Sequence, residues 1–262
     1  MSLPLSAPSE TAALASPVVE LRQYTLKPGK RDTLIDLFDG KLIEGQEEAG
    51  MTIIGQFRDL DRPDMFVWLR GFEDMGARKR ALSAFYDGPV WAAHRNAANA
   101  TMIDSDDVLL LKPAWPGAGF DLSGALRLRA GLAADEKPGR STPLSGIVVI
   151  RIDHLRPGAE AAFASRFGAE VAPMTASPGA RLLAAFVTEH AENSFPRLPV
   201  RATENVFISV MGFDGEETHA LHETALAASP AWQAFSHAVR HDLTRPTEIL
   251  RLSATPRSRL CC

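Results

Sequence analysis

Two short segments of this chain set charged and aromatic side chains at strand spacing. Glu20, Arg22 and Tyr24 alternate with Val19 and Leu21, and Phe66, Trp68 and Arg70 alternate with Val67, Leu69 and Gly71. Alternate residues of a strand share a face, so Arg22, Tyr24, Trp68 and Arg70 are expected together on one side of a sheet. Two guanidiniums beside a phenol and an indole make an amphipathic pocket suited to a small anionic or aromatic ligand. Further along, Arg151, Asp153, Phe207, Ser209 and Met211 stand at matching places, which adds Arg151 and Asp153 to the ligand-binding set. The competing structural reading has Arg22 and Arg151 pairing with acids such as Glu20 or Asp153 across a domain interface.

A proton-transfer group is also available. His94, beside Arg95, follows Trp91 by about one helical turn, and an imidazole there could serve as a general base, with Tyr24 as the second catalytic candidate. The plainer reading of His94 is a half-exposed helix residue. His237 and His241 are four apart and His219 and His222 three apart, spacings at which two imidazoles can grip one metal. No carboxylate completes either pair as an H-E-x-x-H motif would, and cationic groups near a helix C-terminus explain His237, Arg240 and His241 without a metal. No metal site is therefore expected. G-x-G-x-x-G, P-loop and G-x-S-x-G motifs are absent, which leaves dinucleotide, nucleotide and serine-hydrolase chemistry without support.

The elements that must position these groups come as an internal repeat. Arg22-x-x-x-Leu26-Lys27-Pro28-Gly29 recurs 129 positions later as Arg151-x-x-x-Leu155-Arg156-Pro157-Gly158. Phe66, Gly71 and Phe72 recur as Phe207, Gly212 and Phe213, and Pro89, Trp91 and Ala93 as Pro230, Trp232 and Ala234, both after 141 positions. The offset grows between them, so the second copy carries extra residues, and the polar stretch from Glu189 to Asn205 is the natural loop to hold them. Trp91 and Trp232 read as packing anchors on equivalent helices, each just after a helix-starting proline.

Each copy reads as βαββαβ. The first predicts strands at Val18 to Leu26, Thr52 to Phe57, Met65 to Phe72 and Val108 to Leu111, with helices over Lys30 to Ala49 and over Glu73 to Ala100 broken at Gly88-Pro89. The second predicts strands at Gly146 to Leu155, Ala180 to Thr188, Val206 to Phe213 and Glu248 to Leu252, with helices between. Two ferredoxin-like units follow. Their open sheet faces need cover, and the second copy supplies it. The fold class is α+β: tandem ferredoxin-like βαββαβ units forming an intramolecular dimeric α+β barrel. The organisation is a tail over 1–17, a first unit over 18–114, a linker over 115–145, a second unit over 146–256 and a C-terminal tail over 257–262. The expected face for Arg22, Tyr24, Trp68 and Arg70 is the one lining the barrel lumen.

Glu20-Leu21-Arg22-x-Tyr24-Thr25-Leu26-Lys27-Pro28-Gly29 and Pro230-x-Trp232-Gln233-x-Phe235 resemble the NIPSNAP family, and the similarity extends over both halves as two tandem domains. The resemblance implies the dimeric α+β barrel superfamily. Copy two departs from the pattern where Asp153 replaces Tyr24 and where its loop is longer, so a site built on Tyr24 would not be doubled. Family members are mostly of unproven activity, some being linked to mitochondria and vesicle trafficking. By analogy with other dimeric α+β barrels, the expected function is binding of a small anionic or aromatic molecule in the lumen, as a cofactor-independent monooxygenase or isomerase. The alternative is a non-catalytic interaction or scaffold protein. Some barrel relatives ligate haem through a histidine, which makes His94 the axial candidate, but no resident cofactor is expected.

Bulk properties set the limits. The chain has 262 residues, 45% of them apolar, with 28 Lys plus Arg against 32 Asp plus Glu. A net charge of -4 without a basic stripe argues against nucleic acid, and no apolar run approaches membrane-helix length. Both cysteines, Cys261 and Cys262, are terminal, so no disulfide framework exists and a cytoplasmic setting is expected. A homo-oligomer, most simply a dimer, is the expected assembly.

Overall fold

Leu26-Lys27-Pro28-Gly29 and Leu155-Arg156-Pro157-Gly158 each carry the chain out of a strand through a turn whose glycine has positive φ, 72° at Gly29 and 82° at Gly158. A side chain is disfavoured in that conformation, which is why the motif recurs intact. The computed structural model describes residues 16–125, 127, 146–175, 177 and 179–260. Cys261, Cys262, most of the N-terminal tail and most of the 115–145 linker lie outside the described residues.

The first repeat runs β1 (Val18–Leu26), α1 (Arg31–Leu37), α2 (Ile43–Glu48), β2 (Thr52–Asp59), β3 (Met65–Phe72), α3 (Met75–Tyr86), α4 (Pro89–Asn99) and β4 (Met102–Pro113). The second runs β5 (Ile147–His154), α5 (Glu160–Arg166), α6 (Ala172–Thr175), β6 (Ala180–Thr188), β7 (Val206–Phe213), α7 (Glu216–Ala228), α8 (Pro230–Val239) and β8 (Glu248–Ala254). The expected helix over Lys30 to Ala49 is interrupted by a π-helical turn at Phe38–Leu42, and the second repeat has the matching turn at Phe167–Val171. The wider turn pushes one extra residue toward the sheet. Asp74 caps α3 by accepting from the Ala77 N–H, Ser229 caps α8 by accepting from the Trp232 N–H, and Pro89 and Pro230 occupy first-turn positions. β4 begins six residues before the expected Val108, because its leading half, Met102 to Asp107, is too polar to read as a strand.

Each repeat forms a four-stranded antiparallel sheet, β4-β1-β3-β2 and β8-β5-β7-β6, and the two join edge to edge at β2–β8 and β4–β6 into one closed eight-stranded barrel. Among the described residues, closure leaves no strand edge for a second copy to extend. Among the described residues no helix is long and apolar enough to cross a membrane.

The barrel interior corrects the sequence reading of the strand faces. Val19, Leu21, Val67 and Leu69 from one repeat meet Val148, Ile150, Ile152 and Ile208 from the other in a continuous aliphatic core. Phe120, from the start of the linker, and Leu260, from the C-terminal tail, are buried in the same core. Arg22, Tyr24, Trp68 and Arg70 therefore lie on the opposite, helix-covered face. Eight strands enclose a space just wide enough for side chains to fill, and a dry interior offers charged groups no partners. The lumen is packed, and the expected lumen ligand has no room there. Nor is the C-terminal tail free: Arg257 reaches Glu44 and the Asp39 carbonyl, and the Ser258 hydroxyl accepts from the Gln56 N–H.

Candidate functional site

Between the first sheet and its helices, one carboxylate holds three guanidiniums. Glu20 Oε2 accepts from Arg22 Nη1 at 2.7 Å and Arg70 Nε at 2.8 Å, while Oε1 accepts from Arg78 Nε at 2.7 Å. All four side chains are 0–1% exposed. Burial opposes the charge on Glu20, but Arg70, Arg22 and Arg78 together outweigh it and hold the carboxyl far below the ordinary carboxylate range. Arg22 Nε also donates to the Tyr24 hydroxyl at 3.1 Å. Tyr24 stands edge-on to Trp68 at 5.8 Å, and the Arg22 and Arg70 guanidiniums lie 5.5 and 5.1 Å from the Trp68 ring centre. The four residues singled out from strand spacing thus do come together. Their pairing acid, Glu20, sits on the same strand and not across the repeat interface. Arg78, Gln46 and Tyr86 complete the cluster and were missed, since they come from helices whose facing the sequence left open.

At the equivalent place in the second repeat the packing is different. Ser209 replaces Trp68, Met211 replaces Arg70, Leu226 replaces Phe85 and Ala227 replaces Tyr86. The lost volume leaves a pocket of about 100 Å³, bounded by apolar groups including Phe167, Met211, Phe213 and Trp232 and by five polar ones, Arg151, Thr175, Ser209, His222 and Glu223. The floor of this pocket is a fixed cation. Asp153 accepts from Arg151 Nε and Nη2, both at 2.9 Å, and from the Thr247 hydroxyl at 2.6 Å, while the Trp232 ring lies 5.3 Å from the guanidinium. Arg151 Nη1 has no partner among the described residues. Asp153 does not line the pocket; it orients Arg151, as a bidentate carboxylate does.

His222, which the sequence spacing marked only as half of a candidate metal pair with His219, is a further polar group of this pocket. It is 9% exposed, packs 5.3 Å from the Phe213 ring, and neither ring nitrogen has a hydrogen-bond partner among the described residues. Burial lowers its pKa against a weaker opposing pull from Glu223, so it is a neutral imidazole near pH 7. With Leu226 it also lines an outer hollow of about 420 Å³, which places it at the passage between pocket and surface. Comparing the two repeats position by position would have marked it, since His222 stands where the first repeat has Ala81.

His94, by contrast, sits half-exposed on α4, lines none of these cavities, and is not brought together with Tyr24 or Arg22. Trp91 does pack as expected, 5.1 Å from Tyr86 and 5.9 Å from Phe85.

The NIPSNAP family model matches residues 19–115, which is the first repeat. No curated protein matches the chain. Among solved structures, a Lactobacillus acidophilus protein described as a "putative monooxygenase" superposes with a TM-score of 0.56 at 14% identity, covering 94% of this chain and 98% of its own. An anthrone oxidase-like protein gives 0.57 at 14% identity, with 93% and 95% covered. A NIPSNAP-like domain protein from Burkholderia xenovorans is 27% identical over 40% of this chain and 84% of its own, with a TM-score of 0.33. The two long superpositions establish the dimeric α+β barrel fold across both repeats.

Proposed function

We propose, starting from a chain whose first repeat is a NIPSNAP domain, that the protein binds a small molecule carrying an anionic or enolisable group in the sheet–helix pocket of its second repeat. The observation that supports this reading is the conjunction there of a fixed guanidinium with a spare Nη1 and a buried, unpartnered, neutral histidine on the walls of one apolar pocket. A concave apolar site with a few convergent polar groups is the usual form of a ligand site. A neutral base beside a cation suits abstraction of a proton next to a carbonyl: His222 takes the proton and Arg151 stabilises the resulting enolate. Returning the proton elsewhere gives isomerisation. Attack of the enolate carbon on dioxygen would instead form a C–O bond and a peroxide anion, which takes up the proton from His222 and loses water to leave a new carbonyl; the two long structural neighbours are named as a putative monooxygenase and an anthrone oxidase-like protein. Fold likeness alone does not choose between them.

Phenylpyruvate, with a carboxylate, a carbonyl and an acidic adjacent C–H, is a suitable probe. Deuterium exchange at that carbon, followed by proton NMR in heavy water, is expected to be faster with the protein than in buffer. His222→Gln is expected to slow it at least tenfold, and Arg151→Ala to weaken binding. Exchange no faster than in buffer would reject the catalytic role, and absence of saturable binding would reject the site. The second reading, a non-catalytic scaffold, is favoured by one observation, the side-chain-filled lumen, and stands if neither repeat takes a small ligand.

A further inference from the structure

The first repeat contains a second, chemically different cavity. It is small, about 30 Å³, and its walls include Tyr24, Gln46, Trp68, Tyr86, Trp91 and Met102. One water needs roughly 10–15 Å³, so the space admits a larger group. Four of those residues, Tyr24, Tyr86, Trp91 and Met102, also line an outer vestibule of about 240 Å³, where Ser105, Phe195 and Arg197 join them.

The polar atoms on these walls are almost all donors. Trp68 Nε1–H is buried with no acceptor among the described residues. The Tyr24 hydroxyl accepts from Arg22 and the Tyr86 hydroxyl from Arg70 Nη1 at 3.5 Å, and neither donates to any described residue. The Gln46 Oε1 acceptor of the inner cavity is engaged by Arg70 Nη1 at 3.4 Å, and the Ser105 carbonyl of the vestibule by Arg22 Nη2 at 3.4 Å. Behind the walls stand three buried guanidiniums and a single buried carboxylate, an excess of positive charge; Arg70 Nη2 lies 2.8 Å from Glu20 Oε2, whereas Arg78 Nη2 lacks a hydrogen-bond partner among the described residues. Buried cations without matching anions are costly. A cavity walled by donors and backed by cations is complementary to an acceptor carrying negative charge.

The vestibule adds the shape of the remainder. Phe195 stacks on Tyr86 at 6.0 Å with 29° between the rings. It belongs to the Glu189–Asn205 loop of the second repeat, which is tied across by Arg78 to Asn193 at 2.9 Å and by Arg197 to Asp87 at 2.6 Å. Tyr24, Tyr86, Trp91 and Phe195 thus present ring surfaces around the way in. We propose that the first repeat binds an aromatic monocarboxylate, its carboxylate in the inner cavity at Tyr24 and Trp68 and its ring among Tyr86, Trp91 and Phe195. This site is separate from the second-repeat pocket and does not depend on the reading of it.

Isothermal titration calorimetry with benzoate and with its neutral isostere benzamide tests the proposal on the full chain. Saturable benzoate binding at least tenfold tighter than benzamide is expected. Tyr24→Phe and Trp68→Phe are each expected to weaken it about tenfold, and Phe195→Ala to weaken it further. Should Trp68→Phe fail to fold, Tyr24→Phe removes a single oxygen and carries the test. Equal binding of benzoate and benzamide, no saturable binding of benzoate, or undiminished binding by Tyr24→Phe would each overturn it.

Discussion

Glu20 carries more of the first repeat than any other single residue, because three buried guanidiniums depend on its two oxygens. Glu20→Gln keeps the shape and removes the charge, so the cations are left facing one another. A loss of about 3–5 kcal/mol is expected, the range for breaking a buried ion pair from one side, read as a fall in the urea midpoint. Acid should act in two stages. His222 and His219 are both lowered by burial from an ordinary value of 6.5; such groups favour the native state above that value and lose the contribution as pH falls through their depressed ones. Stability is therefore expected to decline as pH falls below about 6.5, and to decline less in His222→Phe. Glu20 is lowered as well, from 4.5, so its contribution is complete above that value and is lost only in stronger acid. Urea midpoints of parent, His222→Phe and Glu20→Gln across this range check both stages.

Among the elements, the two sheet–helix layers differ by exchanges that can be reversed. Ser209→Trp restores to the second repeat the indole that Trp68 supplies to the first, and should fill the pocket beside Arg151. Ligand binding there is expected to be lost, while overpacking costs roughly 1–3 kcal/mol; phenylpyruvate titration and a urea melt measure the two effects separately. The sequence made most of the elements readable. β1, β3, β6 and β7 begin and end where their β-rich runs and punctuating residues place them. It misassigned the faces. In Val19-Glu20-Leu21-Arg22 alternation separates aliphatic from charged residues, but it does not say which set faces the other sheet. That was decided by what each side offers: the helices and the Glu189–Asn205 loop bring Gln46, Arg78, Asn193 and Ser194 to the charged face, and the lumen brings only aliphatic groups. His94 misled for a related reason. Its spacing after Trp91 is helical, yet the helix turns Trp91 inward and leaves His94 half-exposed. His222 carried a local signal only as a metal-type pair with His219, and the smaller residues around it, Ser209, Leu226 and Ala227, foreshadowed a cavity.

For the whole molecule, the shared interior makes the repeats interdependent. Val19 and Leu21 are buried by residues of the other repeat, and each sheet finds its edge partners there. Denaturant unfolding should consequently be one transition, with tryptophan emission and far-ultraviolet circular dichroism coinciding; two separated midpoints would show that the repeats fold independently. Closure also directs any second copy of the chain to helices or loops, since no strand edge remains among the described residues. Fusion into a single polypeptide has one more effect. In a barrel made of two identical subunits every substitution is written twice, and a change that opens one pocket opens both. Here the layers differ: one holds a tryptophan and three arginines around a glutamate, while the other has serine and alanine at matching places and a histidine. Covalent linkage has released the two halves from sameness, so that a single barrel is free to recognise two unlike molecules.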